Sequence, residues 1–203
     1  MNIEEKDKKI YGFVGSKINL LQRKDPWSKG MLAKLRRGVG KSPFEIGEIW
    51  EITLSGLPEE FLCREGSTSA TEAEWAIHTS LTLYAMHQQG NDQPMSMGKN
   101  EGGLSFGSAI KRLINTDGTN EDSIKRRFNS VITSTDLKEL SYHGRGLIQL
   151  MRSEAIPIRM DYPQFAVELY RFQFEGMKNG VRLQWGQDFY KTGEKKNKKK
   201  DSE

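Results

Sequence analysis

A chain of 203 residues, 35% hydrophobic and 29% charged, is long enough for one large domain or two small ones, and contains no apolar run of membrane-spanning length. The formal net charge of +4 is largely terminal: six lysines and three acids fall in Lys191–Glu203, which leaves +1 for the residues before them. A basic balance by itself therefore argues for no partner, and only the placement of the cations carries information.

The opening Met1–Lys6 lacks a basic stretch followed by an apolar one, so no secretory signal is expected and the cytoplasm is the expected location. Ile10, Phe13, Val14, Ile18 and Leu21 predict a first amphipathic helix behind a frayed, mixed-charge entry. Asp25-Pro26 reads as an N-cap with proline at the first helical position, opening a helix to Arg37 that turns Trp27, Met31 and Leu35 inward and stops at Gly38. Ser42-Pro43-Phe44-Glu45 has the form of a capping box and predicts a helix through Ile46, Ile49 and Trp50. A second box, Ser69-Ala70-Thr71-Glu72, predicts the longest helix, burying Trp75, His78, Leu81, Thr82, Ala85 and Met86 before Gly90. Residues 91–103 form a long glycine- and methionine-containing loop of the kind that is either mobile or functional.

Leu104–Ile132 states one pattern twice. Phe106, Ile110, Leu113 and Ile114 recur as Ile124, Phe128, Val131 and Ile132, a spacing that places four apolar groups on one helical face. The polar connection 115–120 reads as a turn, with Asn120 capping the second helix. Leu137, Leu140, Leu147, Ile148 and Met151 predict a further helix, barred from continuing by Pro157. Asp161 caps another, carrying Phe165, Leu169 and Phe172 to Gly176, and Val181, Trp185 and Phe189 share one face of the last. The lysine-rich segment 191–203 has nothing to bury and is expected to lack fixed structure. No strand alternation or hairpin signal competes. The predicted fold is all-α: two small helical bundles packed in one compact chain, residues 1–116 and 117–190.

The cations are segregated. Ser28–Lys41 holds Lys29, Lys34, Arg36, Arg37 and Lys41 without an acid, and Tyr142–Arg152 holds Arg145 and Arg152 without one. Lys111, Arg112, Lys125, Arg126 and Arg127 lie off the apolar stripes of the repeated pair. A solvated charged surface is the commonest meaning of such runs.

Chemistry of other kinds finds no support. Cys63 is the single cysteine, which excludes an internal disulfide and suits a reducing compartment. His78, His87 and His143 are the only histidines, and none stands at metal-ligand spacing with another ligand. Residues 103–107, Gly-Leu-Ser-Phe-Gly, lack the Gly-Lys-Ser/Thr ending of a phosphate loop. His143 beside Arg145 would suit a nuclease or phosphotransfer site, but no acidic pair with a plausible magnesium role accompanies it. No catalytic residue, metal site or cofactor is expected.

Several stretches carry a family resemblance: Leu35-Arg-Arg-Gly38, Trp75–Gln89, Gly103–Leu113, Ser123-Ile-Lys-Arg-Arg-Phe128, His143-Gly-Arg-Gly-Leu-Ile148 and Trp185–Tyr190. Taken together, in order and spacing, they resemble the CasB small subunit of the type I-E CRISPR surveillance complex, Cascade, from about Trp27 to Tyr190. The resemblance implies a two-bundle helical fold without catalytic activity. It implies two copies side by side among other Cascade subunits and guide RNA, with basic faces holding target and displaced DNA strands. It carries nucleic-acid binding onto Arg36, Arg37, Lys111, Arg112, Lys125, Arg126, Arg127 and Arg145, to which the charge reading adds Lys34 and Arg152. Gln187 stands where family members often have arginine, and Gly144 disfavours helix just before Arg145. Few exposed aromatics interleave with these cations, so electrostatic tracking of phosphates is expected rather than base stacking. The alternative is a free-standing helical DNA-binding regulator, which would need a recognition helix and a short turn before it.

Overall fold

The computed structural model describes residues 2–191, so the lysine-rich segment beyond Lys191 lies outside the described residues. Nine α-helices run in the order α1 (Ile3–Leu21), α2 (Pro26–Arg36), α3 (Trp50–Thr53), α4 (Glu72–His87), α5 (Phe106–Lys111), α6 (Glu121–Ile132), α7 (Leu137–Ser153), α8 (Tyr162–Phe172) and α9 (Glu175–Tyr190) among those residues. The only extended pairings there are isolated bridges from Met160 to Ser96 and Leu104.

The centre is α4. From Ala73 to His87 every residue except Trp75 is buried, as expected for a helix packed on all sides rather than one with a single stripe. It packs against α2, α7 and α8, and α1 lies across α8. Two of the hydroxyls on α4 are satisfied by carbonyls: Ser80 Oγ donates to Tyr162 O at 3.0 Å, and Thr82 Oγ1 to Thr79 O at 3.1 Å. Of the repeated stripe, Phe106, Ile110, Leu113, Ile124, Phe128 and Val131 are buried, while Ile114 and Ile132 are only partly so, and α5 ends at Lys111, before Leu113 and Ile114. Phe106 stacks on Phe165 at 4.8 Å, and Phe128 on Phe189 at 4.4 Å, which ties the pair to α8 and α9. Gly107 makes the α5–α9 crossing possible, since a Cβ there would stand 2.1 Å from Trp185 O. Buried residues on both sides of the 115–120 connection join one contiguous apolar cluster.

Several local expectations are corrected. The longest helix is α1, with 19 residues, and its entry is a capping box of Asn2 and Glu5 rather than a frayed end. The Ser42–Glu45 box exists but opens a 3-10 turn; Ile46 leaves helical geometry at φ −132°, and a second 3-10 turn, Gly47–Ile49, precedes the single α turn of α3. The box at α4 is Thr71 with Glu74, not Ser69 with Glu72. Trp27 and Trp50 are 40% and 43% exposed, and Trp75 is half-buried. Each of the first two satisfies its indole N–H near the surface: Trp27 donates to Glu51 at 3.2 Å and Trp50 to Pro43 O at 2.8 Å. Asn120 turns its side chain back to accept from Asn115 N and donate to Leu113 O, so it closes the turn instead of capping α6. Gly176 lies in the first turn of α9, not at the end of α8. Gly144 does not interrupt α7; it is buried in the middle of that helix, facing Leu83 of α4. The 91–103 loop is pinned by backbone bonds, including Met97 N to Met160 O at 3.1 Å and Met160 N to Met95 O at 3.1 Å.

Candidate nucleic-acid interface

The ten basic residues singled out by sequence fall into three groups and some outliers. Gly38 ends α2 tightly against α4: a Cβ there would be 2.8 Å from Thr82 Cγ2, and His78 Nε2 lies 3.0 Å from Gly38 O. This docking brings Arg36 near Arg152 at the end of α7. Burial, and then the like charge of Arg152, lower the pKa of Arg36. Arg152 donates to Gln89 Oε1 at 2.8 Å. Lys24 and Lys29, absent from the predicted set, line a cavity of about 420 Å³ with Arg36 and Gln89. Lys29 was legible in the acid-free run, whereas Lys24 carries no signal beyond its charge.

A second group forms around the C-terminal end of α9. Lys111 donates to the Lys191 carbonyl, and a cation at carbonyls left open by a helix end is favourably placed. Lys125 ion-pairs with Glu121 one turn earlier at 2.7 Å; that bond, and more weakly the nearby Tyr190, raise its pKa.

The third group joins α6 to α7. Arg127 of α6 and Arg145 of α7 line an open cavity of about 420 Å³ between the two helices. Both are exposed, and neither has an ion-pair partner among the described residues. Arg126 is exposed beside them on α6. The outliers are Arg37, paired with Glu48 at 2.6 Å, Lys34, half-buried on α2, and Arg112, which faces a separate cavity containing Glu101 and Glu154. The predicted residues therefore have several distinct local surroundings.

The histidines have structural surroundings. His87 Nδ1 lies 3.0 Å from the Tyr162 hydroxyl, and burial pushes its pKa down to about 4. Burial likewise lowers His78. Among the described residues no three His, Cys, Asp or Glu groups converge as a metal site would require, and no helix is long and apolar enough to cross a membrane. A cleft of about 1360 Å³ runs between α1, α8 and α9 and carries Glu101, Asp161, Glu168 and Asp188 against Lys99 and Arg171. It is acidic where the three groups above are basic.

Folded this way, the chain is an all-α protein with cations gathered at helix ends and along one interhelical cleft. Comparison with known proteins supplies the family. The sequence profile of CRISPR-associated protein Cse2 matches residues 31–190, and the chain belongs to that family. The crystal structure of CasB from Thermobifida fusca is similar, with 29% identity and a TM-score of 0.70 over 89% of this chain and 97% of that one. A chain of a CRISPR RNA-guided surveillance complex shares the fold at 17% identity, TM-score 0.65, over 89% and 92% of the two chains. CasB from M. ruber does so at 21% identity, TM-score 0.61, over 88% and 92%. No curated protein matches the sequence.

Proposed function

We propose that the chain is a non-catalytic small subunit of a Cascade-type CRISPR complex that holds DNA strands by their phosphates. Family membership supports the assignment to such a complex, together with the likeness to a chain of an RNA-guided surveillance complex. The observation that carries the DNA-holding role is the pair Arg127 and Arg145, exposed on adjacent helices whose apolar faces are already buried and left without ion-pair partners among the described residues. A solvated surface would gain from pairing such charges with acids, as Lys125 and Arg37 are paired. Guanidiniums left unpaired beside a cleft are suited to phosphate oxygens, which they grip bidentately.

In RNA-guided recognition, guide pairing reads sequence while protein contacts to the backbone help tip a nearly balanced strand exchange. The partners in this reading are the other Cascade subunits with guide RNA, a second copy of this chain, and the target and displaced strands. The regulator reading is weaker, because α5 has only six residues and the 115–120 connection folds on itself. The test is a salt titration of target-DNA binding by the reconstituted complex. On single strands the slope of log affinity against log salt is about −0.7 per neutralised phosphate, so Arg127→Ala/Arg145→Ala should flatten it by about 1.4. An unchanged slope with the variant subunit incorporated refutes the phosphate role.

A further inference from the structure

The cavity between α6 and α7 contains more than cations. Tyr142, His143, Arg145 and Gln149 of α7 line it together with Arg127 and Ser130 of α6. Residues 142, 145 and 149 are one and then two turns apart, so they form a stripe opposite the buried Leu140–Leu147–Met151 face. Between the stripe and α6 stands Gly146, whose Cβ, if it had one, would lie 3.4 Å from Arg127 Nη1. The guanidinium thus lies within van der Waals reach of the α7 backbone at this glycine.

Tyr142 is the unexpected component. Its ring is 74% exposed, the most exposed aromatic among the described residues, and it stands edge-on to His143 at 5.3 Å and 75°. With that exposure at least one ring face is bare to solvent. The expectation of electrostatic tracking rested on few exposed aromatics interleaving with the cations, and here one lines the same cleft as two of them. No carboxylate lines the cavity. Glu139, one turn before His143, is occupied by the Thr135 N–H at 2.7 Å and the Thr135 hydroxyl at 2.9 Å, and lies 3.8 Å from His143 Nε2.

We propose that this cleft is a nucleotide subsite for single-stranded DNA, in which one base stacks on Tyr142 while Arg127 and Arg145 hold the flanking phosphates. The inference rests on the phosphate-holding role above and adds a base contact to it. An exposed aromatic sharing a cleft with two guanidiniums that have no ion-pair partner among the described residues suits single strands held without sequence readout: every base has a π-face, and every linkage has a charge. The cavity volume of about 420 Å³ falls in the range of small-ligand sites, roughly 300–1,000 Å³. A protein partner would also use Tyr and Arg, but it would pair the two arginines with acids and would be indifferent to the presence of bases.

The experiment compares the full-length chain and its variants for binding to oligo-dT and to an abasic oligonucleotide of the same length, across a salt series. Tyr142→Ala should weaken oligo-dT binding by about fivefold or more, the scale of one stacked base, and leave abasic binding and the salt slope unchanged. Tyr142→Phe should bind like the parent, since stacking does not need the hydroxyl. Arg127→Ala/Arg145→Ala should weaken both oligonucleotides and flatten the slope. Equal loss on both oligonucleotides, no loss at all, or Phe behaving like Ala overturns the stacking subsite while leaving the phosphate role standing if the arginine variant still flattens the slope. A parent chain that binds neither oligonucleotide overturns both. Tyr142 is at the surface, so circular dichroism of its variants should match the parent.

Discussion

Replacing Glu168 by glutamine should remove a pH-dependent penalty that the fold carries in the cleft between α1, α8 and α9. Glu168 lies on α8 at the floor of that cleft and accepts a 2.7 Å bond from the Trp185 indole N–H and a weaker one from Gln164. Desolvation nevertheless dominates and raises its pKa from 4.5 to about 7. A carboxyl whose folded pKa exceeds its unfolded one stabilises the fold below the unfolded pKa, and the benefit is lost as pH climbs through the folded value. Each unit is worth about 1.4 kcal/mol, so the rise corresponds to a loss of about 3 kcal/mol between pH 4.5 and 7.5. His87 works in the opposite sense: its pKa, depressed to about 4, adds stability as pH rises toward the ordinary histidine value of about 6.5. The raw pH profile of the protein therefore mixes the two. The difference between Glu168→Gln and the parent isolates the carboxyl, because glutamine keeps an acceptor for Trp185 and cannot ionise. Urea midpoints at constant m-value should show near-equal stability at pH 4.5 and a variant more stable by about 2–3 kcal/mol at pH 8. A difference that stays constant with pH would refute the assignment of a half-buried, desolvated carboxyl with a raised pKa.

Two further outcomes check the core and the caps. Trp185 is fully buried against Phe106 and Phe172, so Trp185→Ala should destabilise by roughly 3–5 kcal/mol, whereas half-buried Trp75→Ala should cost less than half as much in the same denaturation assay. Thr71→Ala should cost about 1 kcal/mol and Ser69→Ala close to nothing, with the reverse order indicating that α4 starts two residues earlier.

How far the sequence discloses the fold depends on which kind of information each element needs. The stripes of α1, α5, α6, α8 and α9 are legible because burial there follows helical period alone. The start of α4 is not, because two overlapping boxes, Ser69 with Glu72 and Thr71 with Glu74, satisfy the same local rule. What selects the second is tertiary. The Thr71 hydroxyl also donates to Phe61 O at 2.6 Å, and Glu74 Oε1 accepts from Cys63 N at 3.1 Å, so the preceding loop is closed by the same two side chains. Trp27 and Trp50 mislead for a related reason. Their size argues for burial, but each indole N–H is claimed by a partner at the surface, and that partner is set by how the 3-10 turns fold back on α2.

The cations show the same division between local and tertiary information. Their types and their separation from acids are visible in the chain, yet Arg36 and Arg152 meet only because Gly38 lets α2 settle on α4, where α7 also docks. Arg127 and Arg145 come to line one cleft because α6 packs beside α7. For Tyr142 the local signal was present: it lies one turn from Arg145 and two from Gln149, on the side of α7 away from its apolar stripe. Helical period places an aromatic on the polar face of that helix, and an aromatic so placed is exposed unless another element covers it. No local rule states that α6 comes alongside without covering it. That single tertiary fact makes the difference between a surface tyrosine with no neighbours and one that shares a cleft with two arginines.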